Sequence, residues 1–298
     1  MKENLCMWTL LTGVCLLGLA QQAAATGGTN EASRPLTLYV VADAHVGLRD
    51  TGETMMQFAL LCNARQPDVV LDLGDAIHGE RRGHYPMDHH EAALAQMQDW
   101  LRAWNKIDAP HKAIALGNRD VARHGIRREA EWRQALGYED RAPQGGSPFH
   151  SSFVVDNGTV RALFIVTSSY SECYDRSVTL DWVREEVTGF EGDFIVFADH
   201  RISLYRSYQT LLARAGVRTP ALFLHGHNHG PDTLVRDAWG HERDDRPLPA
   251  YLLTALFMDG VAAKFQLYPD GRYEHFRLDV RTQEISEPTL HHQTRVQP

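Results

Sequence analysis

Short apolar runs alternate along the chain with segments in which apolar residues recur at helical spacing. An apolar run of roughly four to eight residues favours a buried strand, and apolar residues at every third or fourth position favour an amphipathic helix. We predict helices at 54–65, 91–104, 180–187 and 205–215. We predict strands at 36–42, 68–73, 112–116, 149–155, 160–167, 194–198 and 221–224, and a mainly strand-like, antiparallel stretch at 251–280.

The alternation of strands and helices predicts the fold class. It is typical of an α/β domain in which helices cover a sheet. We therefore expect a layered sandwich of mixed sheets flanked by helices, whose C-terminal part is mainly antiparallel β structure.

Polar residues with metal-binding side chains follow the ends of the predicted strands. In sequence order these clusters are Asp43-Ala44-His45, Gly74-Asp75, Gly117-Asn118-Arg119-Asp120, His200 and Gly226-His227-Asn228-His229. Ligand sites of open α/β sheets gather at the carboxyl ends of strands. On extended or loop backbone, alternate residues point to one side, so both members of each x-spaced pair can face one ion. Carboxylate, amide and imidazole donors suit zinc, manganese or iron.

This ordered series resembles the calcineurin-like metallophosphoesterase family. The family motifs run D-x-H, G-D, G-N-H-D or G-N-H-E, a lone His and G-H-x-H, in that order. Each motif is weak by itself, but all five occur here in order, each after a predicted strand, from Asp43 to His229. The resemblance implies the fold of that family and hydrolysis of a phosphate ester or anhydride.

The resemblance also implies a centre of two metal ions, divalent or trivalent, of manganese, iron or zinc. Asp75 would bridge the ions, and Asp120 would orient a neighbouring group. Such a pair stabilises the attacking and leaving oxygens and makes hydroxide available from a shared water. The remaining implied ligands are Asp43, His45 and His229 for one ion, and Asn118, His200 and His227 for the other.

Arg119 departs from the family pattern, which has His after the motif Asn. In the family that His contacts phosphate and protonates the leaving group. Arginine cannot release a proton at ordinary pH, but its fork of donors can clamp a phosphate oxygen. The hypothesis is therefore a phosphodiester or another substrate with a good leaving group. His124, His84 or His78 could replace the missing acid.

Two other functions stay open at this point. One is an acid-phosphatase-like phosphomonoesterase, and the other is a catalytically weak, metal-containing protein that binds a phosphorylated ligand. A secreted structural module with histidines scattered by chance is a third alternative. We expect His225 to be a structural residue that faces away from the ions. The charged stretch 80–85 is either a solvated loop or a segment that recognises an anionic substrate.

Composition and charge restrict the partners. The 298 residues carry a net charge of −8, which argues against general nucleic-acid binding. A small phosphorylated substrate stays compatible with that charge, because bound ions dominate the local field. The 16 histidines agree with a metal site. Nothing in the sequence indicates an oligomeric state.

The N-terminus has the layout of a secretory signal peptide. Residues 5–20 are almost wholly apolar, follow Lys2 and precede Ala23-Ala24-Ala25, and the run is short for a membrane span. We expect a signal peptide at 1–25 cleaved after Ala25, a leader at 26–35 and a single domain at 36–298. The protein would then be secreted or periplasmic without a stable membrane span. A retained N-terminal anchor is the alternative.

Two local features keep two interpretations each. Cleavage after Ala25 leaves Cys62 and Cys173, which either pair in an oxidising compartment or stay buried thiols. Asn157-Gly158-Thr159 matches a glycosylation acceptor, and a hairpin turn explains it equally well.

Overall fold

The computed structural model describes residues 34–80, 86–123, 126–229, 233–234, 248, 250–253 and 255–292. The predicted signal peptide lies outside these residues. None of the helices in the described ranges is both long enough and apolar enough to cross a bilayer.

Seven α-helices and fourteen strands make up the described fold. The helices are α1 (Thr51–Arg65), α2 (Pro86–Trp104), α3 (Asn118–Val121), α4 (Glu129–Ala135), α5 (Arg176–Val187), α6 (Tyr205–Arg214) and α7 (Leu256–Asp259). The strands are β1 (Leu36–Val41), β2 (Val69–Asp72), β3 (His111–Ile114), β4 (Ala122–Arg123), β5 (Ile126–Arg127), β6 (Ser151–Asp156), β7 (Arg161–Val166), β8 (Phe194–Asp199), β9 (Ala221–His225), β10 (Thr233–Leu234), β11 (Ala250–Leu252), β12 (Val261–Leu267), β13 (Arg272–Asp279) and β14 (Thr289–His292).

The strands form two six-stranded mixed sheets and one small hairpin. The first sheet has the order β14-β13-β12-β1-β2-β3, with parallel pairing among β1, β2 and β3 only. The second has the order β10-β11-β9-β8-β7-β6, with antiparallel strands at both edges and parallel strands between them. β4 pairs with β5 alone. The expected fold class, two mixed sheets flanked by helices, is confirmed.

Alternation along the central strands explains the layers. In β1, Leu38 and Val40 belong to the core between the two sheets, whereas Tyr39 and Val41 pack with residues of α1 and α2. The residues of β8 likewise alternate between the inter-sheet core and the helices α5 and α6. Successive side chains of a strand point to opposite faces, so a strand buried on both faces is continuously apolar. The apolar runs that form β1, β2, β7, β8 and β9 are therefore strands covered on both sides, whereas β6 is partly exposed.

The structure adds detail that periodicity does not predict. The C-terminal stretch contains the antiparallel pair β12 and β13, as expected. The short helix α7 precedes this pair, and β11 at the start of the stretch pairs in parallel with β9. Between β6 and β7, Gly158 has a φ of 81°, and the Asn157 side chain accepts the backbone N–H of Val160 at 2.8 Å. The hairpin-turn interpretation of this segment is confirmed.

Candidate metal centre

The predicted ligands lie in loops that follow central strands of both sheets. Asp43 and Asp75 follow neighbouring parallel strands of the first sheet, and His200 and His227 follow neighbouring parallel strands of the second. Backbone hydrogen bonds join the loops within each sheet: Asp43 N donates to Gly74 O at 2.9 Å. Across the sheets, the N–H of His227 donates to Asp43 Oδ2 at 2.8 Å. The carboxyl ends of the two sheets therefore meet at one place.

Five of the ligand residues have left-handed backbone. The φ angles are 50° for Asp43, 46° for His45, 50° for Asp75, 75° for His227 and 47° for His229. Such angles are uncommon outside glycine, cost about 1–3 kcal/mol each, and persist where the surroundings dictate them, often at functional sites. The side chains of the x-spaced pairs are therefore oriented by strained loop backbone. The expected orientation by the alternation of extended backbone is not observed here.

The first cluster of donors contains Asp43, His45, Asp75 and His229, whose ligand atoms all lie within 4.8 Å of one another. Nε2 of His45 lies 3.2 Å from Nε2 of His229 and 3.9 Å from Asp75 Oδ2. Nε2 of His229 lies 3.2 Å from Asp43 Oδ1. Two imidazoles and two carboxylates thus point at one small volume.

The second cluster contains Asp75, His200 and His227. Nε2 of His200 lies 3.4 Å from Asp75 Oδ1 and 3.2 Å from His227 Nδ1. The two oxygens of Asp75 therefore face different clusters. His227 and His229 also divide between the clusters, so the expectation that an x-spaced pair can face one ion holds for Asp43 and His45 only. His225 belongs to neither cluster.

Asn118 supplies the test of whether a cation fits. Its Oδ1 is buried and has no hydrogen-bond partner in the structure. A buried carbonyl oxygen without a partner costs free energy, and a cation held beside it would remove that cost. The preceding Gly117 is packed so tightly that a Cβ there would lie 2.3 Å from Asp75 Oδ1, which brings residue 118 close to the shared carboxylate. The donor set therefore fits a pair of cations.

Hydrogen bonds and burial set the charge states of the donors. Nδ1 of His200 lies 2.7 Å from the Leu73 carbonyl and therefore carries a proton, so Nε2 is the nitrogen that faces Asp75. Burial lowers the pKa of His200, but the contact with Asp75 outweighs it and raises the pKa to about 10, so a cation held here would take the place of the Nε2 proton. Burial lowers the pKa of His45 to about 4 and keeps that imidazole neutral. Burial raises the pKa of Asp75, but the contact with His200 outweighs it and holds the pKa at about 2. The shared carboxylate is therefore ionised.

Asp120 lies behind the clusters, fully buried. Its Oδ2 accepts the N–H of Gly117 at 2.8 Å, and its Oδ1 accepts the N–H of Ile77 at 3.2 Å. These bonds tie the loop after β2 to the loop after β3. Burial raises the pKa of Asp120 to about 7. The groups that Asp120 orients are thus backbone amides beside the ligands.

Arg119 lies over the first cluster. Its Nε is 3.7 Å from Asp75 Oδ2, and its Nη1 donates to Glu80 Oε1 at 3.0 Å and to the His78 carbonyl at 3.1 Å. The side chain is 20% exposed. Nδ1 of His78 is 3.3 Å from Arg119 Nη1. The alternative acids His84 and His124 lie outside the described residues.

Two aromatic residues at the clusters were not predicted from the sequence. Phe257 in α7 packs edge-on against His45, with ring centroids 4.6 Å apart, and against His229 at 5.0 Å. The Tyr170 hydroxyl is 3.5 Å from Nε2 of His227. Neither residue belongs to a spaced motif, and an isolated aromatic residue indicates core packing in the first instance.

Cys62 and Cys173 are both free, with Cys62 buried and Cys173 exposed. The alternative in which Cys62 and Cys173 form a disulfide is therefore wrong. Of the two buried thiols that the other alternative expected, only Cys62 is buried.

Comparison with known proteins agrees with this geometry. The sequence profile of the calcineurin-like phosphoesterases matches residues 36–231. No curated protein matches the chain.

Solved structures share the fold at low sequence identity. A dimetal phosphatase from Danio rerio superposes with a TM-score of 0.60 at 12% identity, over 81% of this chain and 95% of that one. A purple acid phosphatase from yellow lupin seeds gives 0.58 at 10% identity, over 87% of this chain and 54% of the lupin chain. GAP50, the anchor in the inner membrane complex of Plasmodium, superposes with a TM-score of 0.53 at 12% identity, over 88% of this chain and 90% of that one.

The chain thus spans only about half of the lupin enzyme, and at these identities the likeness is one of fold. The profile, by contrast, extends over more than half of the chain and includes every predicted ligand. All residues of the two clusters that share Asp75 lie within the matched range. This chain belongs to the calcineurin-like phosphoesterase family.

Proposed function

We propose that this protein hydrolyses a phosphate ester or anhydride with a pair of metal ions of the manganese, iron or zinc type. The observation that carries the proposal is the pair of nitrogen and oxygen donor clusters that share one carboxylate, that of Asp75. When bound, two cations supply Lewis-acid stabilisation of the attacking and leaving oxygens and a source of hydroxide near neutral pH. The residues that would hold them are Asp43, His45, Asp75 and His229 on one side, and Asp75, Asn118, His200 and His227 on the other.

The residues of the chain itself position and neutralise the phosphate. Arg119 presents a permanent cation 3.7 Å from Asp75 Oδ2, in reach of a phosphate oxygen that approaches the shared carboxylate. Glu80 holds the guanidinium in that place through a 3.0 Å ion pair. Because arginine donates hydrogen bonds without releasing a proton, it stabilises developing charge but does not assist departure of a poor leaving group. We therefore propose a phosphodiester or another substrate with a good leaving group, ahead of a simple phosphomonoester.

The test combines turnover with metal analysis of one preparation. We expect the protein to hydrolyse bis(4-nitrophenyl) phosphate when manganese is added. Asp75→Asn should abolish turnover and lower the metal content. Asp181→Asn, which removes an exposed carboxylate paired with Arg184, is the matched control and should change neither. A protein that retains no divalent ion would refute the proposal.

A second candidate function is binding of a phosphorylated partner without turnover. Arg119 in place of the family histidine favours it, and one structure of similar fold is described as an anchor, so the fold alone does not decide. Full metal content without turnover of any aryl mono- or diester would favour this alternative over catalysis.

We further propose that the protein acts outside the cytoplasm, since residues 1–25 have the layout of a signal peptide. N-terminal sequencing of the exported chain should begin at Thr26. A chain that stays in the cytoplasm with Met1 intact would contradict this.

A further inference from the structure

Arg201 and Tyr170 form a cation–π pair beside the second cluster. Cζ of Arg201 lies 4.5 Å from the centroid of the Tyr170 ring. That ring lies 5.6 Å from the ring of His200 and 5.8 Å from the ring of His227. Both side chains of the pair are partly exposed. A positive charge on an aromatic face therefore borders the second cluster, whereas Arg119 borders the first.

One buried carboxylate holds both members of the pair in place. Asp199 is fully buried, and its Oδ1 accepts the Ser169 hydroxyl at 2.7 Å and the N–H of Arg201 at 3.1 Å. Its Oδ2 accepts the Thr167 hydroxyl at 2.6 Å. The residue before Tyr170 and the backbone of Arg201 are thus fixed to the same group. The pair is organised before any ligand binds, which lowers the entropy cost of binding.

The guanidinium of Arg201 has N–H donors that are available to a ligand. Its Nε donates to the Ser203 hydroxyl at 3.0 Å. Within the part of the chain that the structure describes, no carboxylate forms an ion pair with it, whereas Arg119 is paired with Glu80 at 3.0 Å. The planar fork of terminal N–H groups matches a carboxylate or phosphate through two parallel hydrogen bonds. The chemistry that the pair would recognise is an oxyanion.

We infer that Arg201 binds a second oxyanion of the substrate, a terminal phosphate, while the scissile phosphate lies at the two metal clusters. This inference rests on the proposed function and narrows it, because it makes the substrate a phosphoester or anhydride that carries a further phosphate. Tyr170 is the positioning residue, since its ring supports the guanidinium through a cation–π contact.

Calorimetry on the manganese-loaded protein tests this without turnover. The probes are butyl phosphate and a series of α,ω-alkane bisphosphates from ethane to hexane. We expect the best bisphosphate to bind roughly ten- to a hundredfold more tightly than butyl phosphate, the range for one charged hydrogen-bonded contact. Arg201→Gln should bring this ratio close to one. Arg206→Gln removes an exposed arginine nearby with the same charge change and should keep the ratio.

The outcomes separate the subsite from the catalytic proposal. A ratio near one for every spacer in the wild type, or the same ratio in Arg201→Gln and wild type, overturns the inference. An equal gain from 4-phosphonooxybutanoate would show that the subsite takes a terminal carboxylate as well, which upholds the oxyanion site and refutes its restriction to phosphate. A protein that does not hydrolyse aryl esters but shows the arginine-dependent ratio loses the proposed function and keeps the binding site.

Discussion

Replacing Arg119 by histidine exchanges a permanent cation for a side chain that can release a proton, at a position beside the shared carboxylate. Nε of Arg119 is 3.7 Å from Asp75 Oδ2, so the exchange occurs where a phosphate oxygen would be bound. Two effects of opposite sign follow. The clamp on the phosphate weakens, and a general acid becomes available to the leaving group.

The magnitudes decide which substrates gain. A hydrogen bond to a charged group contributes about 1.5–3 kcal/mol, so losing the clamp lowers kcat/KM roughly ten- to a hundredfold for every substrate. General-acid assistance contributes about a hundred- to ten-thousandfold, but only where the leaving group is a poor one. Arg119→His should therefore slow esters of dinitrophenol and accelerate esters of unsubstituted phenol. In a plot of log kcat/KM against leaving-group pKa, the lines for the wild type and Arg119→His should therefore cross between these two esters.

The assay is kcat/KM for methyl aryl phosphates of increasing leaving-group pKa. We expect a steep decline in the wild type and a shallower one in Arg119→His. Arg102→His makes the same exchange on an exposed helix surface and serves as the control. A shallow decline in the wild type that Arg119→His leaves unchanged would refute the reasoning. If His78→Asn then made the decline steeper, the proton donor would be the histidine 3.3 Å from Arg119 Nη1.

Three further substitutions or measurements probe the supports of the centre. Phe257→Ala removes the ring packed against both histidines of the first cluster and should weaken manganese retention about ten- to a hundredfold in a chelator titration. Gly117→Ala places a Cβ 2.3 Å from a shared carboxylate oxygen and should abolish turnover and lower the Tm, whereas Gly52→Ala in α1, whose Cβ meets its nearest atom at 3.8 Å, should raise the Tm or leave it unchanged. In the chain that begins at residue 26, one thiol, Cys173, should react with Ellman's reagent before unfolding and Cys62 only afterwards, because burial raises the pKa of the Cys62 thiol.

The residues of the centre could be predicted because their chemistry is local to strand ends. Asp43, Asp75 and His227 each follow a short apolar run, and such runs identify buried strands without knowledge of their neighbours. The sheet order could not be predicted in this way. β12 pairs with β1 across more than two hundred residues, and periodicity contains no information about such partners.

The residues that sequence reasoning missed make contacts across such long separations. Phe257 touches His45 only because α7 follows β11, which joins the second sheet beside β9. The family motifs assign no role to the arginine that follows the lone histidine. The role proposed for Arg201 depends on Tyr170, thirty-one residues earlier, which the fold places beside it and whose ring it contacts. Asp199 accepts hydrogen bonds from the Arg201 N–H and from the hydroxyl of Ser169, the residue before Tyr170.

The backbone of the ligand loops shows why local propensity misleads at this place. Glycine would adopt a positive φ at lower cost, yet aspartate or histidine occupies each of the five strained ligand positions. These positions therefore carry residues with metal-binding side chains in spite of their backbone preference. The surrounding hydrogen bonds hold the backbone at positive φ angles that these residues rarely adopt by themselves. His45, for example, keeps a φ of 46° while its N–H donates to the Asp75 carbonyl at 2.9 Å. A conflict between local preference and observed backbone is what a functional site is expected to show, and here it coincides with the donors that share Asp75.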